Sequence, residues 1–153
     1  MTDVTVRVAG AADVDALIAL RQAWTDERRG PRPDPDLAAR FRAWFEAESR
    51  TRTFWLAEID GVAVGMVNLA TFTRMPAPGI DAGAWGYLGN MFVAAEHRDG
   101  GVGRRLLDAL VAHADSAGLE RIVLSPSERS VRFYRRAGFD PAHQLLLRPR
   151  PKV

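Results

Sequence analysis

The sequence predicts a mixed α/β (α+β) fold, a central sheet with helices on its faces. Three observations carry this. Strand-like runs recur from the first residues to the last, separated by two-residue or glycine- and proline-rich breaks. Two of them, "TFWLAEI" (53–59) and "VAVGMVNL" (62–69), flank Asp60-Gly61, the strongest short hairpin signal. A strand–helix–strand order over 84–125 requires a parallel, right-handed crossover.

The elements follow in order. "VTVRVA" (4–9) alternates and is β-branched, a first strand. Asp13 is placed to cap a helix carrying Leu17, Leu20 and Trp24 on one face. "DERRGPRPDPD" (26–36) is a loop. Asp34-Pro35 starts a second helix, whose Leu37, Phe41, Trp44 and Phe45 share one apolar face and read as core packing. After the hairpin, "TRMPAPGIDAG" (73–83) is a long tip. "AWGYLGNMFV" (84–93) is a strand, and Gly89 within it marks either a bulge or a packing position. Leu106, Leu107, Leu110, Val111, Ala114 and Ala117 form a helical stripe ended by Gly118. "RIVLS" (121–125) reads as a buried strand. "SPSE" (125–128) reads as a capping box opening a helix that ends near Ala137-Gly138. "HQLLLRP" (143–149) supplies a last strand.

Composition bounds the function. The 153 residues suit a single domain, 1–153. The 21 Lys and Arg against 19 Asp and Glu leave a net charge of +2, which does not call for nucleic acid. Without cysteine there are no disulfides, no thiolate metal site and no Cys nucleophile. Acidic and basic residues interrupt the N-terminal apolar positions, so it is not a signal peptide. No run approaches the ~18 apolar residues of a membrane helix. A cytoplasmic protein without membrane association is expected.

The segment "RDGGVGRRL" (98–106) lies between a strand and a helix. Glycines let a ligand approach the backbone. The first N–H groups of a helix lack intrahelical partners and lie at the positive end of its dipole. Arg98, Arg104 and Arg105 add charge that can grip phosphate oxygens. The spelling fits neither a P-loop, since no Gly-Lys follows, nor a Rossmann fingerprint near the first strand.

A second segment, "SVRFYRRAGF" (130–139), narrows the reading. Arg98-Asp-Gly-Gly101-Val-Gly103 resembles the R/Q-x-x-G-x-G/A pyrophosphate loop of the GNAT (GCN5-related N-acetyltransferase) superfamily. The later segment resembles that family's tyrosine-bearing helix closed by Gly-Phe. The resemblance is strong over 84–140 and topologically consistent elsewhere. It implies a mostly antiparallel sheet of about six to seven strands with helices on both faces.

The resemblance also implies a wedge between the strands at 88–93 and 121–125 that takes acetyl-CoA. Pantetheine would pair with Met91, Phe92 and Val93. The pyrophosphate would sit on the backbone of Arg98, Asp99, Gly100, Gly101, Val102, Gly103 and Arg104. Tyr134 would be the general acid. A phenol (reference pKa ~10) is protonated at neutral pH and can protect the leaving thiolate of a thiol (~8.5).

The sequence departs from the family in three places. Asp99 stands where glycine is frequent, and is expected to face solvent. Ser127 and Ser130 replace the helix motif's usual asparagine and alanine.

Glu58, Asp81 and Glu96 are candidate bases, with Tyr87 and Asn90 as an alternative water relay; none is chosen. The acceptor is expected to meet the segments 26–36 and 73–85. Trp24 and Trp85 are candidate walls, with core packing the alternative for Trp24.

Direct transfer in a ternary complex is expected, without a metal, since His97, His113 and His143 lack ligand spacing. The acceptor is a small-molecule or peptide amine, and the protein a monomer or homodimer. Acetylation of a protein N-terminus or lysine is the nearer alternative. A non-catalytic acyl-CoA-binding module is the more distant one, and Tyr134 argues against it.

Overall fold

The computed structural model describes residues 3–152. Its sheet has five strands in the order β1-β2-β3-β4-β5. These are β1 (Val4–Ala9), β2 (Arg52–Ile59), β3 (Val62–Thr73), β4 (Ala84–Val93) and β5 (Ile122–Val123). The first three pairings are antiparallel and β4–β5 is parallel. Helices α1 (Val14–Arg29) and α2 (Leu37–Glu48) lie between β1 and β2. Helix α3 (Val102–Ser116) crosses from β4 to β5, and α4 (Val131–Arg136) follows β5. No helix among the described residues is long and apolar enough to cross a membrane.

Strand alternation splits the core into two layers. Phe54, Leu56, Met66 and Phe92 pack with Leu17, Leu20 and Phe45 under α1 and α2. Trp55, Ala57, Val67, Leu69 and Leu88 pack with Leu106, Leu107 and Leu110 of α3 and with Tyr134 of α4. The β2–β3 hairpin turns through Asp60 (φ 50°) and Gly61 (φ 76°). Both residues lie in the left-handed region, as a two-residue turn matching strand twist requires.

Three expectations give way here. The strand count is five, because residues 143–149 form no strand and expose Leu146 and Leu147 almost fully. β5 pairs at only two positions, Ile122 and Val123. It therefore offers little edge to a further strand, and Pro149 and Pro151 withhold N–H groups. α4 begins at Val131, not at Ser125. Ser130 Oγ donates to the Ser127 carbonyl (2.9 Å) and holds residues 128–130 as a 3₁₀ turn ahead of the helix. Asp13 precedes α1 but does not cap it. Its carboxylate accepts from Gly10 N–H (2.8 Å) and from the Arg7 guanidinium.

The β3–β4 ladder contains the feature that positions the site. Asn68 pairs with Gly89 and Met66 with Phe92, so β4 carries an extra residue across that interval. Asn90, at φ 54°, takes the left-handed conformation; Gly89 does not. The bulge therefore centres on Asn90. A Cβ on Gly89 meets only ordinary contacts (Asn68 Oδ1, 3.5 Å), whereas one on Gly86 falls 2.7 Å from Leu69 Cδ1. Gly86→Ala is expected to destabilise by about 1–3 kcal/mol. Gly89→Ala should stay within about 0.5 kcal/mol, a contrast read from urea unfolding midpoints.

Candidate active site

The segment between β4 and α3 is built to present backbone donors. Asp99 (φ 62°) and Gly101 (φ 84°) both take left-handed conformations. Asp is among the few residues with a side chain that visit this region readily, which suits it to a position where glycine would also fit. Its side chain is exposed. Among the described residues the N–H groups of Asp99 through Arg104 form no backbone hydrogen bond, whereas Arg98 N–H donates to Ala95 O at 3.3 Å. The free donors therefore begin at Asp99. A run of N–H groups ending in a helix N-terminus makes a concavity for an anion.

The arginine side chains do not take the place expected of them. Arg98 donates from Nη1 and Nη2 to the two carboxylate oxygens of Glu27, 2.7 Å each, and from Nε to the Val93 carbonyl at 2.9 Å. It is a strut between α1 and β4. Arg98 in turn holds the Glu27 carboxyl below its ordinary range. Arg104 pairs along α3 with Asp108 (2.8 Å), and Arg105 donates to the Val4 carbonyl (2.5 Å). The capacity of the segment for an anion rests on its backbone.

Beside it, β4 has an open edge. β4 pairs with β5 only at Gly86 and Tyr87. Ala94 N–H donates to Val64 O, so by ladder alternation Phe92 turns its backbone polar groups toward β3. Met91 and Val93 point theirs the other way, into the gap. Of the three residues expected to meet pantetheine, only these two present groups to it, and the Val93 carbonyl already accepts from Arg98. A Cβ on Gly103 would approach Phe133 at 3.5 Å and Val93 at 3.7 Å, which places the start of α3 against α4 across this gap.

Tyr134 of α4 borders the same cluster. Its ring is 7% exposed and meets Phe133 and Phe139 edge-on. Burial pushes its phenol up to about 12, so the hydroxyl is protonated throughout the physiological range. No sealed side-chain polar atom is left without a partner among the described residues. The Tyr134 hydroxyl bonds to none of them and therefore reaches solvent.

On the opposite face of the sheet, a cavity of about 290 Å³ lies between α1, α2 and the β4 bulge. Phe41, Trp44 and Phe54 form its apolar wall, and Asn68 and Asn90 its polar end. Asn68, 3% exposed, is a buried polar residue in an otherwise apolar strand. Its Nδ2 donates to Asn90 Oδ1 (2.9 Å) and its Oδ1 accepts from Arg52 (2.7 Å), which also donates to Glu48 (3.0 Å). Arg21 and Arg40 complete the charged lining.

Several expected residues fall elsewhere. Neither 26–36 nor 73–85 lines the cavity. Trp24 stacks on Phe92 and Trp85 on Phe72. Phe41 and Trp44, read as core packing, line it instead. Glu58 is paired with Arg7 at the far side of the sheet, and Asp81 and Glu96 are exposed. Both features that define the cavity leave a trace in the sequence. Asn68 interrupts an apolar run, and Arg21 falls one turn after Leu17 on the apolar stripe of α1.

The model of the Acetyltransferase (GNAT) family matches residues 17–139. None of the curated proteins compared matches the sequence. Among solved structures, a predicted acetyltransferase from Clostridium acetobutylicum, crystallised with acetyl-CoA, is 22% identical over 96% of each chain, with a TM-score of 0.77. A GCN5-related N-acetyltransferase from Ralstonia eutropha JMP134 is 24% identical over 96% of this chain and 99% of its own, TM-score 0.73. Glucosamine-6-phosphate N-acetyltransferase from Arabidopsis thaliana is 15% identical over 96% and 98%, TM-score 0.74.

Proposed function

The chain belongs to the acetyltransferase (GNAT) family, and from that premise we propose that it moves the acetyl group of acetyl-CoA directly to the amine of a small molecule. One observation carries this reading. The N–H groups of Asp99–Arg104, which have no backbone partner among the described residues, follow a strand that pairs with β5 only at Gly86 and Tyr87 and so leaves the Met91 backbone and the Val93 N–H facing the gap. A diphosphate on the first and an amide-bearing arm along the second describe the two parts of CoA.

The reaction is one substitution. The acceptor, having lost its extra proton to water, attacks the thioester carbonyl. A C–N bond forms, the tetrahedral intermediate collapses, and the C–S bond breaks. Tyr134 delivers its phenolic proton to the departing sulfur, the nitrogen gives up its surplus proton to solvent water, and the phenolate takes one back from solvent. The acceptor enters from the cavity under α1 and α2, because that cavity ends at Asn90, on the strand whose other edge is open.

Calorimetry with acetyl-CoA, followed by free-thiol release over a panel of primary amines, tests the proposal. Saturable binding and amine-dependent thiol release are expected. Absence of binding would sink it, and binding without release for any amine or peptide would make the protein a binding module. Asp99→Gly is expected to tighten acetyl-CoA binding about threefold to tenfold. It keeps the left-handed backbone and removes a carboxylate beside the diphosphate. Weaker binding by this variant would mean the diphosphate lies away from the segment.

A further inference from the structure

The cavity under α1 and α2 holds a charge that its surroundings leave unbalanced. Arg21 stacks its guanidinium on Trp24, 4.6 Å from the ring centroid, and lines the cavity. Among the described residues it forms no ion pair. Burial depresses its pKa, and the positive charges of Arg29 and Arg28 depress it further. The other lining cation, Arg40, is paired with Asp34. Among the described residues no carboxylate lines the cavity.

Resting on the acetyl-transfer reading above, we infer that the acceptor is a small amine that also bears one carboxylate, with the size and apolar body of a hydrophobic or aromatic α-amino acid, and that Arg21 holds its carboxylate. A partly desolvated guanidinium with no partner is matched by one planar carboxylate, which it can bind in a fork. A polycation would bring further positive charge into a cavity that has no carboxylate to receive it. A phosphate would carry more charge than one free guanidinium answers. The volume of about 290 Å³ lies at the small end of ligand sites, and Phe41, Trp44 and Phe54 offer the rest of the molecule an apolar, aromatic surface. The polar end at Asn68 and Asn90 receives the amine.

The test compares each acid with its decarboxylated amine by thiol release: phenylalanine with 2-phenylethylamine, leucine with isopentylamine, and O-phosphoethanolamine and spermidine as contrasts. The amino acids are expected to exceed their amines in kcat/KM by about 10- to 100-fold. Arg21→Ala, which preserves helix propensity, should bring that ratio to about one, and Arg21→Lys should restore part of it.

A ratio near one in the unmodified protein would overturn the inference. So would preference for spermidine or the phosphorylated amine, or an equal loss on acid and amine in Arg21→Ala. Calorimetry with N-acetylphenylalanine gives a readout free of turnover. The unmodified protein should bind it, and Arg21→Ala about 10- to 100-fold more weakly; no binding to the unmodified protein refutes the inference. If acetyl-CoA itself does not bind, the acetyl-transfer reading fails, and the N-acetylphenylalanine result still decides the cavity.

Discussion

Tyr134→Phe lowers kcat by about 100-fold or more and leaves the affinity for acetyl-CoA within about threefold. The variant keeps the ring that packs on Phe133 and Phe139 and removes only a hydroxyl that bonds to no described residue. Removing a hydroxyl that makes no protein hydrogen bond is close to neutral for stability. The pH profile adds a second readout. With the phenol pushed up to about 12, its deprotonation cannot produce an alkaline fall in kcat below about pH 10. The same shift affects folding. A folded pKa raised above the unfolded value of about 10 contributes stability that is fully present below pH 10 and is lost as pH rises through 12. A collapse of acetyl-CoA affinity in Tyr134→Phe, with kcat spared, would make the residue a packing element.

The second large effect is at the start of α3. Gly103→Asp is expected to raise the acetyl-CoA Kd by about 100-fold or more while leaving the chain folded. The new Cβ meets Phe133 and Val93 at 3.5 and 3.7 Å, ordinary contact distances, so the backbone need not move. The carboxylate beyond it would enter the gap beside the free N–H groups. There it repels a diphosphate and competes with it for the same donors. Calorimetry reads the affinity, and a thermal melt checks the fold. Unchanged affinity in a folded variant would place the CoA diphosphate away from this segment.

What was legible in the sequence was local. Asp60-Gly61 specifies its own turn, and of the glycines after Arg98, Gly101 takes the left-handed backbone that its residue type favours. The tyrosine helix and the loop could be read together because their spellings are short and ordered.

What failed depended on distant partners. The Arg98 side chain is claimed by Glu27, 71 positions away, and nothing near either residue announces that pairing. The strand expected at 143–149 has the composition of one, but its formation needs a neighbour that β5 is too short to provide. Phe41 and Trp44 lie on the apolar face of α2 as a core stripe would. Whether such a face meets the sheet or borders a cavity is decided by how α2 seats on α1, which periodicity does not encode. Gly89 reads from sequence as either a bulge or a packing position, and the residue that takes the left-handed conformation in the bulge is its neighbour Asn90, which carries no such marker.

The open edge of β4 has a consequence for solubility. An unpaired strand edge is normally a hazard, since it templates pairing with any passing chain, and proteins blunt such edges with charge, proline or brevity. The stretch at Met91–Val93 has none of these. Its protection is location. The edge faces inward, with α3 on one side and Phe133 of α4 across from Val93. A ribbon of sheet from a second molecule is too broad to enter, while a single slender chain can lie along it. The walls that keep an adhesive strand from reaching its own kind thus leave room for the thread-like cosubstrate proposed above.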